Sequence, residues 1–307
     1  MADDVRVGKG LLAGTGIGAL FGLGGYMLAL TPSTTGMGVV MFCLVPFAAG
    51  FAIALVTRKG KIMATSALLA ALASLVVLVA AGKEGVLCAI LAFPPLAISI
   101  MLGGWLGLLF DTHVLKREDQ GPGTTVGVFV ALPLLILLSH WIESPSLNRP
   151  RVETVTSSIS IQAAPEQVWQ NIQSIDSVHG SKPWLMYVGL PVPIRCTIER
   201  GGVGAKRICY FDNGTIEETV SEWSPPRLMR LRIDRTHMKG RHWMDFDTAQ
   251  YELVPSGSGT VLKRTTVISS TLYPVFYWRP MERFGVEAEH EYILNDAKTR
   301  SEHVTPR

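Results

Sequence analysis

No charged side chain stands between Lys9 and Arg58, and that gap decides which solvent the first part of the chain can face. A soluble surface cannot be built without charge, whereas the hydrocarbon core of a bilayer asks for about 20 consecutive apolar residues per helix. The run from Gly10 to Thr57 has room for two such helices, with Thr31-Pro32-Ser33-Thr34-Thr35-Gly36 as the turn between them. Further apolar runs follow, so five spans are predicted, over roughly 10–30, 37–57, 62–82, 85–110 and 124–142. Their separators are Arg58-Lys59-Gly60-Lys61, Lys83-Glu84 and the polar loop from Asp111 to Gly123. Composition agrees: 17% of the 307 residues are charged, against about 25% in a soluble domain. Disorder and a single soluble enzyme fold are excluded, and a dispersed net charge of +3 is too mild for a nucleic-acid binder.

Lys and Arg favour cytoplasmic loops. Here they alternate: Arg6 and Lys9, then none, then Arg58, Lys59 and Lys61, then Lys83 alone, then Lys116 and Arg117. The N-terminus is therefore expected inside, in the cytoplasmic (inner) membrane of a bacterium, and five crossings place everything after Trp141 outside the cytoplasm. Gly14-Thr15-Gly16-Ile17-Gly18-Ala19 fits a relaxed dinucleotide fingerprint. That motif works only as a strand-to-helix turn whose amides meet a pyrophosphate, a setting an uncharged span lacks. Gly14, Gly18 and Gly22 instead form a small-residue stripe for close helix packing, as do Gly103 and Gly107. Pro46, Pro94, Pro95 and Pro133 are expected to kink spans. No Asp, Glu, Lys or Arg lies at the centre of a span, which favours an anchor or scaffold over a transporter.

The second half reads differently. Residues 1–143 form the predicted membrane domain, Ser144 to Arg151 a linker, and 152–307 a second domain. Val152 to Gln162 alternates as a strand, and Ala164-Pro165-Glu166-Gln167-Val168-Trp169 opens a short helix with Pro near its first position. Six further strand-like runs lie near 194–200, 205–212, 215–223, 227–234, 245–254 and 260–270. A long helix from Pro274 to Glu302 closes the chain, with Met281, Phe284, Ala288 and Tyr292 at helical spacing. This order makes an α+β domain in which a curved antiparallel sheet surrounds the last helix, with a ligand cavity expected between them.

The residues from Ser158 to Trp169 (Ser-Ile-Ser-Ile-Gln-Ala-Ala-Pro-Glu-Gln-Val-Trp) resemble the opening of the START-like superfamily, in its polyketide cyclase/dehydrase and lipid-transport branch. Gly202-Val203-Gly204-Ala205-Lys206-Arg207, the Gly214 turn, Glu218 with Glu222-Trp223, and Glu289-His290-Glu291-Tyr292-Ile293-Leu294 are similar to later landmarks of that family. The resemblance covers about 152–302, implies the helix-grip fold, and leaves the membrane half unexplained. It implies a hydrophobic cavity but fixes no activity, because one fold hosts many functions.

Asp212-Asn213-Gly214-Thr215 is a strong hairpin signal, and with Asn-Gly as its central pair it sets Phe211 opposite Ile216, Cys209 opposite Glu218 and Arg207 opposite Val220. Ile194, Cys196 and Ile198 are expected to face inward with Arg207, Cys209, Phe211, Ile216, Glu218 and Val220. Arg207 and Glu218 would be diagonal neighbours, either holding a carboxylate, phosphate or carbonyl of a ligand or forming a structural ion pair. Tyr251, Arg264, Trp184, Phe284 and Tyr292 are further candidates for the cavity wall, with core packing as the alternative. With a symmetric loop around Gly201 and Gly202, Cys196 falls opposite Cys209, as a cross-strand disulfide or as two reduced core thiols. His179, His237, His242 and His290 are dispersed, so no metal site or cofactor is expected, and no catalytic residue is assigned. The favoured reading is a non-enzymatic, membrane-anchored binder of a lipid or other hydrophobic small molecule. A cyclase or dehydrase of a polyketide-like substrate, and a structural or sensory membrane protein, are the alternatives.

Overall fold

A computed structural model describes residues 2–29, 36–113, 123–239 and 243–303. The turn expected over Thr31–Thr35, residues 114–122 of the polar loop with Lys116 and Arg117, and His242 lie outside the described residues. The rest falls into two compact units, one built of the first five helices and the other of residues 151–270 with most of the last helix.

The first unit contains α1 (Ala2–Ala29), a π-helical turn (Val40–Leu44) running into α2 (Val45–Thr57), α3 (Gly60–Ala80), α4 (Val86–His113) and α5 (Gly123–Leu147). All five helices are long and apolar enough to cross a membrane. Gly14, Gly18 and Gly22 of α1 recur every fourth residue against Ser66, Ala70 and Ser74 of α3, where a Cβ on each glycine would come within 2.7, 2.6 and 2.7 Å of those side chains. Gly103 of α4 sits so close to α2 that a Cβ there would overlap the Phe47 carbonyl oxygen. Pro46 falls in the first turn of α2, directly after the π-helical turn. The linker expected at 144–151 is shorter than the sequence implies: α5 continues to Leu147. Pro145 leaves the Trp141 carbonyl without its amide partner, and the Ser144 hydroxyl donates to that oxygen at 3.1 Å. Glu143 is used locally as well, accepting the N–H groups of Val39 (2.6 Å) and Val40 (3.1 Å) at the start of the helical run into α2.

The second unit is a seven-stranded antiparallel sheet in the order β1-β7-β6-β5-β4-β3-β2. Its strands are β1 (Arg151–Ile161), β2 (Pro193–Ile198), β3 (Lys206–Phe211), β4 (Gly214–Ser224), β5 (Leu228–Met238), β6 (Met244–Ser256) and β7 (Gly259–Ser270). Short helices α6 (Pro165–Gln173) and α7 (Trp184–Tyr187) lie between β1 and β2, and α8 (Val275–Glu302) follows β7. The sheet curls as a half-barrel. Its main core joins Val220, Met229, Leu231, Tyr251 and Leu253 of the sheet to Val168, Trp169 and Ile172 of α6 and to Ile293, Leu294 and Ala297 of α8. About 25 cal/mol per Å² of buried apolar area holds these layers together.

Three local expectations are corrected. The β3–β4 register pairs Phe211 with Gly214, Cys209 with Ile216 and Arg207 with Glu218, two residues away from the expected alignment. Gly214 is not the positive-φ residue of a type I′ turn. It is a point of close approach, where a Cβ would overlap the His237 carbonyl oxygen on β5. Asp212, now inside the turn, is tied to Val192 by a main-chain bond from Asp212 N–H and by its carboxylate accepting from Val192 N–H, both at 3.0 Å. An even register shift leaves every side chain on its expected face, so the inward assignment on β3 and β4 survives. On β2, a bulge between Pro193 and Arg195 turns Ile194 outward, 46% exposed, while Cys196 stays buried. In the first half of α8 the inward stripe consists of Trp278, Glu282, Val286 and His290, and not of Met281 and Phe284, which are exposed.

Candidate functional site

Strand register brings the candidate residues together. Arg207 on β3 is directly opposite Glu218 on β4, and Tyr251 on β6 is directly opposite Arg264 on β7. The Arg207 guanidinium donates from Nη1 to Glu218 Oε2 at 2.6 Å and from Nε to the Gln173 carbonyl at 3.3 Å. Arg207 is 2% exposed and Glu218 5%. From α8, Glu289 accepts from Arg264 Nη2 at 2.8 Å. The two guanidinium carbons stand 5.9 Å (Arg207) and 5.2 Å (Arg264) from the Tyr251 ring centroid. Two ion pairs therefore sit around one buried tyrosine, beside the apolar layer that packs on α8.

Charges this deep are retained only because they are paired. Burial pulls the Arg207 guanidinium down, but Glu218 and Tyr251 together outweigh it and leave Arg207 above its ordinary value. Arg264 behaves alike: burial opposes its charge, and Glu289, Tyr251 and Glu218 together more than restore it. Burial pushes the Glu289 carboxyl above the usual carboxylate range, with Arg264 opposing. His290, next on the helix, is held down to about 2 by burial and then by Arg264, so its imidazole is neutral. It is fully buried and bridges two hydroxyls, Thr266 Oγ1 at 2.7 Å from Nε2 and Ser157 Oγ at 3.1 Å from Nδ1. Two donors in the cluster are left over: among the described residues, Arg207 Nη2 and Arg264 Nε are buried without a hydrogen-bond partner. Such an unmet donor costs on the order of 1–3 kcal/mol, and more on a charged group.

The remaining candidates lie elsewhere. Tyr292 is 4% exposed, packs with Met186 and Val192, and its hydroxyl donates to the Val178 carbonyl at 3.5 Å. Trp184 and Phe284 do not line the interior; they are 62% and 46% exposed, with ring centroids 6.2 Å apart. The cause is helical phase. Glu282 and Val286 occupy the inward positions around Phe284, and α7 turns Leu185 and Met186 inward instead of Trp184. Cys196 and Cys209 are joined by a disulfide across β2 and β3 and pack with Ile175.

Sequence reasoning misses Glu289, His290, Thr266 and Ser157 as members of the site. The signal available is the spacing of Glu282, Val286, Glu289 with His290, and Ile293 along one helical face, which an apolar-only pattern passes over. A second ionic group ties the first half of α8 to the sheet: Glu153 accepts from Arg151 (3.0 Å) and from Arg279 Nε (2.9 Å), and Glu282 accepts from Arg151 and Ser270. Among the described residues, no three His, Cys, Asp or Glu side chains are placed to hold a metal ion.

Residues 152–302 match the family model for polyketide cyclase/dehydrase and lipid transport. The half of the chain that matches has a START-like fold and is similar to this family. Solved structures overlap the same half. A START superfamily protein from Mycobacterium smegmatis is 14% identical, with 50% of this chain and 99% of that chain covered and a TM-score of 0.38. The Aha1 dimer from Colwellia psychrerythraea is also 14% identical, covering 50% of this chain and 99% of its own, with a TM-score of 0.34. Protein MLL2253 from Mesorhizobium loti is 16% identical, covering 50% and 100%, with a TM-score of 0.35. Among curated proteins no sequence matches. The START-like domain thus has a family match, while the five helices before it are described by their own geometry alone.

Proposed function

We propose that the START-like domain binds a lipid or other hydrophobic small molecule between its sheet and α8, and that the five apolar helices hold it at a membrane as a non-enzymatic carrier or sensor. The single observation that carries this reading is the pair of unpartnered donors, Arg207 Nη2 and Arg264 Nε, buried beside Tyr251 next to the apolar core. Binding sites of this kind are mostly apolar, with a few placed polar groups that fix orientation. Arg207, Glu218 and Tyr251 are its polar wall, Arg264 and Glu289 complete it, and Tyr292 packs one turn further along α8. The membrane supplies apolar ligands, and the name of the matching family includes lipid transport. The alternation of Lys and Arg between loops supports the extracytoplasmic side of a bacterial inner membrane. The Cys196–Cys209 disulfide supports the same side, since disulfides persist in oxidising compartments.

The test is photolabelling of the full chain in native membranes with a diazirine-bearing long-chain hydrocarbon, followed by peptide mapping. Labels on β6 near Tyr251 and on α8 near Glu289 are expected, and excess unlabelled apolar competitor removes them. Labels confined to α1–α5 would overturn the reading.

A further inference from the structure

We infer that the place beside Tyr251 receives the oxygen of an uncharged carbonyl group, as in a ketone or ester, carried on an apolar molecule. This deepens the proposed function and rests on it. Arg207 and Arg264 carry two positive charges, and Glu218 and Glu289, in contact at 2.6 and 2.8 Å, carry two negative ones. His290, facing the same cluster from α8, is bonded to two hydroxyls and adds none. The cluster is electrically balanced before any ligand arrives.

A carboxylate or phosphate would bring a third negative charge into a low-dielectric interior with no fresh cation to meet it, and burial of an unmatched charge is the costliest outcome available. A pure hydrocarbon would leave Arg207 Nη2 and Arg264 Nε as they are, buried and unmet. A neutral carbonyl oxygen is the group that adds an acceptor without adding charge. Both waiting donors belong to guanidinium groups, so the bond formed is charge-assisted and stronger than one between neutral partners. Neither donor is an isolated surface feature: Arg207 is 2% exposed, and the Arg264 side chain is 12% exposed.

The experiment uses the full chain in lipid nanodiscs at pH 8 and three probes of equal carbon number: a methyl ketone labelled with carbon-13 at its carbonyl, the corresponding alkane and the corresponding fatty acid. Each competes against the photolabel on the Tyr251 strand, and isotope-edited infrared spectroscopy reads the bound ketone. The ketone should compete about tenfold more strongly than either the alkane or the carboxylate. Its carbonyl band should move to lower frequency than in hydrocarbon solvent. The infrared readout needs no variant. Equal competition by ketone and alkane with an unshifted band overturns the carbonyl assignment and leaves the apolar-binding function standing. Tighter competition by the carboxylate overturns the charge count. No competition by any of the three overturns both this inference and the function beneath it.

Discussion

The two halves of this chain bury different things. In α1–α5 small residues stand at the closest helix contacts, with Gly14, Gly18 and Gly22 against Ser66, Ala70 and Ser74, and Ile53, Met63 and Ile100 fill the core, while Leu68, Leu72, Val76, Leu134 and Leu138 face outward. In the START-like domain the large apolar residues are inside, and so are paired charges, Arg207 with Glu218 and Arg264 with Glu289 among them. The proposed membrane location makes this a difference of solvent. Lipid tails are as apolar as leucine, so hiding leucine from them gains little and helices associate by close approach of small residues. Water rewards the burial of apolar area and penalises every buried charge without a partner.

The comparison breaks most easily where backbone meets backbone. Gly103→Leu should destroy the packing of α4 on α2, because its first side-chain atom already overlaps the Phe47 carbonyl, whereas Gly127→Leu, with open space around it, should be tolerated. Thermal unfolding of the two full-length variants in detergent checks this, and equal stability would show that close approach is not what holds the helices. The next largest effect lies in the ion pairs. Arg207→Met alone strands Glu218 and should cost about 3–5 kcal/mol, while Arg207→Met combined with Glu218→Leu should cost much less. Hydrogen exchange of the β3 and β4 amides reads both.

Cys196→Ser with Cys209→Ser removes a link between residues separated by 13 positions, for an expected loss of about 2–3 kcal/mol. Denaturant unfolding with and without reductant measures it. The fourth effect is graded by pH. His290 has its folded-state pKa lowered from 6.5 to about 2, so the neutral form is favoured by folding. The stability it contributes is complete above pH 6.5 and is lost as pH falls toward the folded value, at about 1.4 kcal/mol per pH unit. In His290→Gln that slope should flatten in unfolding curves taken between pH 6.5 and about 4.

Much of this architecture is legible in the sequence because it follows from periodicity. The uncharged run to Thr57 announces apolar helices, and alternation from Val152 to Ile161 announces the first strand. The inward faces of β3 and β4 survive a register error because that error is even in length. What periodicity misses is governed by tertiary contact. Asn213-Gly214 looks like a positive-φ turn, yet the glycine is demanded by the backbone of β5. Phe284 looks like core, yet Glu282 and Glu289 take the inward positions because Arg151 and Arg264 wait there on the sheet. A hydrophobic pattern has no means of ranking a glutamate above a phenylalanine for burial. Only the partner on another strand reverses the order.

The most direct measurement of the central claim is native mass spectrometry of the full chain released from nanodiscs, compared with Arg207→Ala. The account predicts a bound apolar molecule near one-to-one occupancy, carrying an uncharged carbonyl, and a marked loss of that adduct in the variant. A bare chain in both proteins, or an adduct of equal occupancy in both, would contradict it.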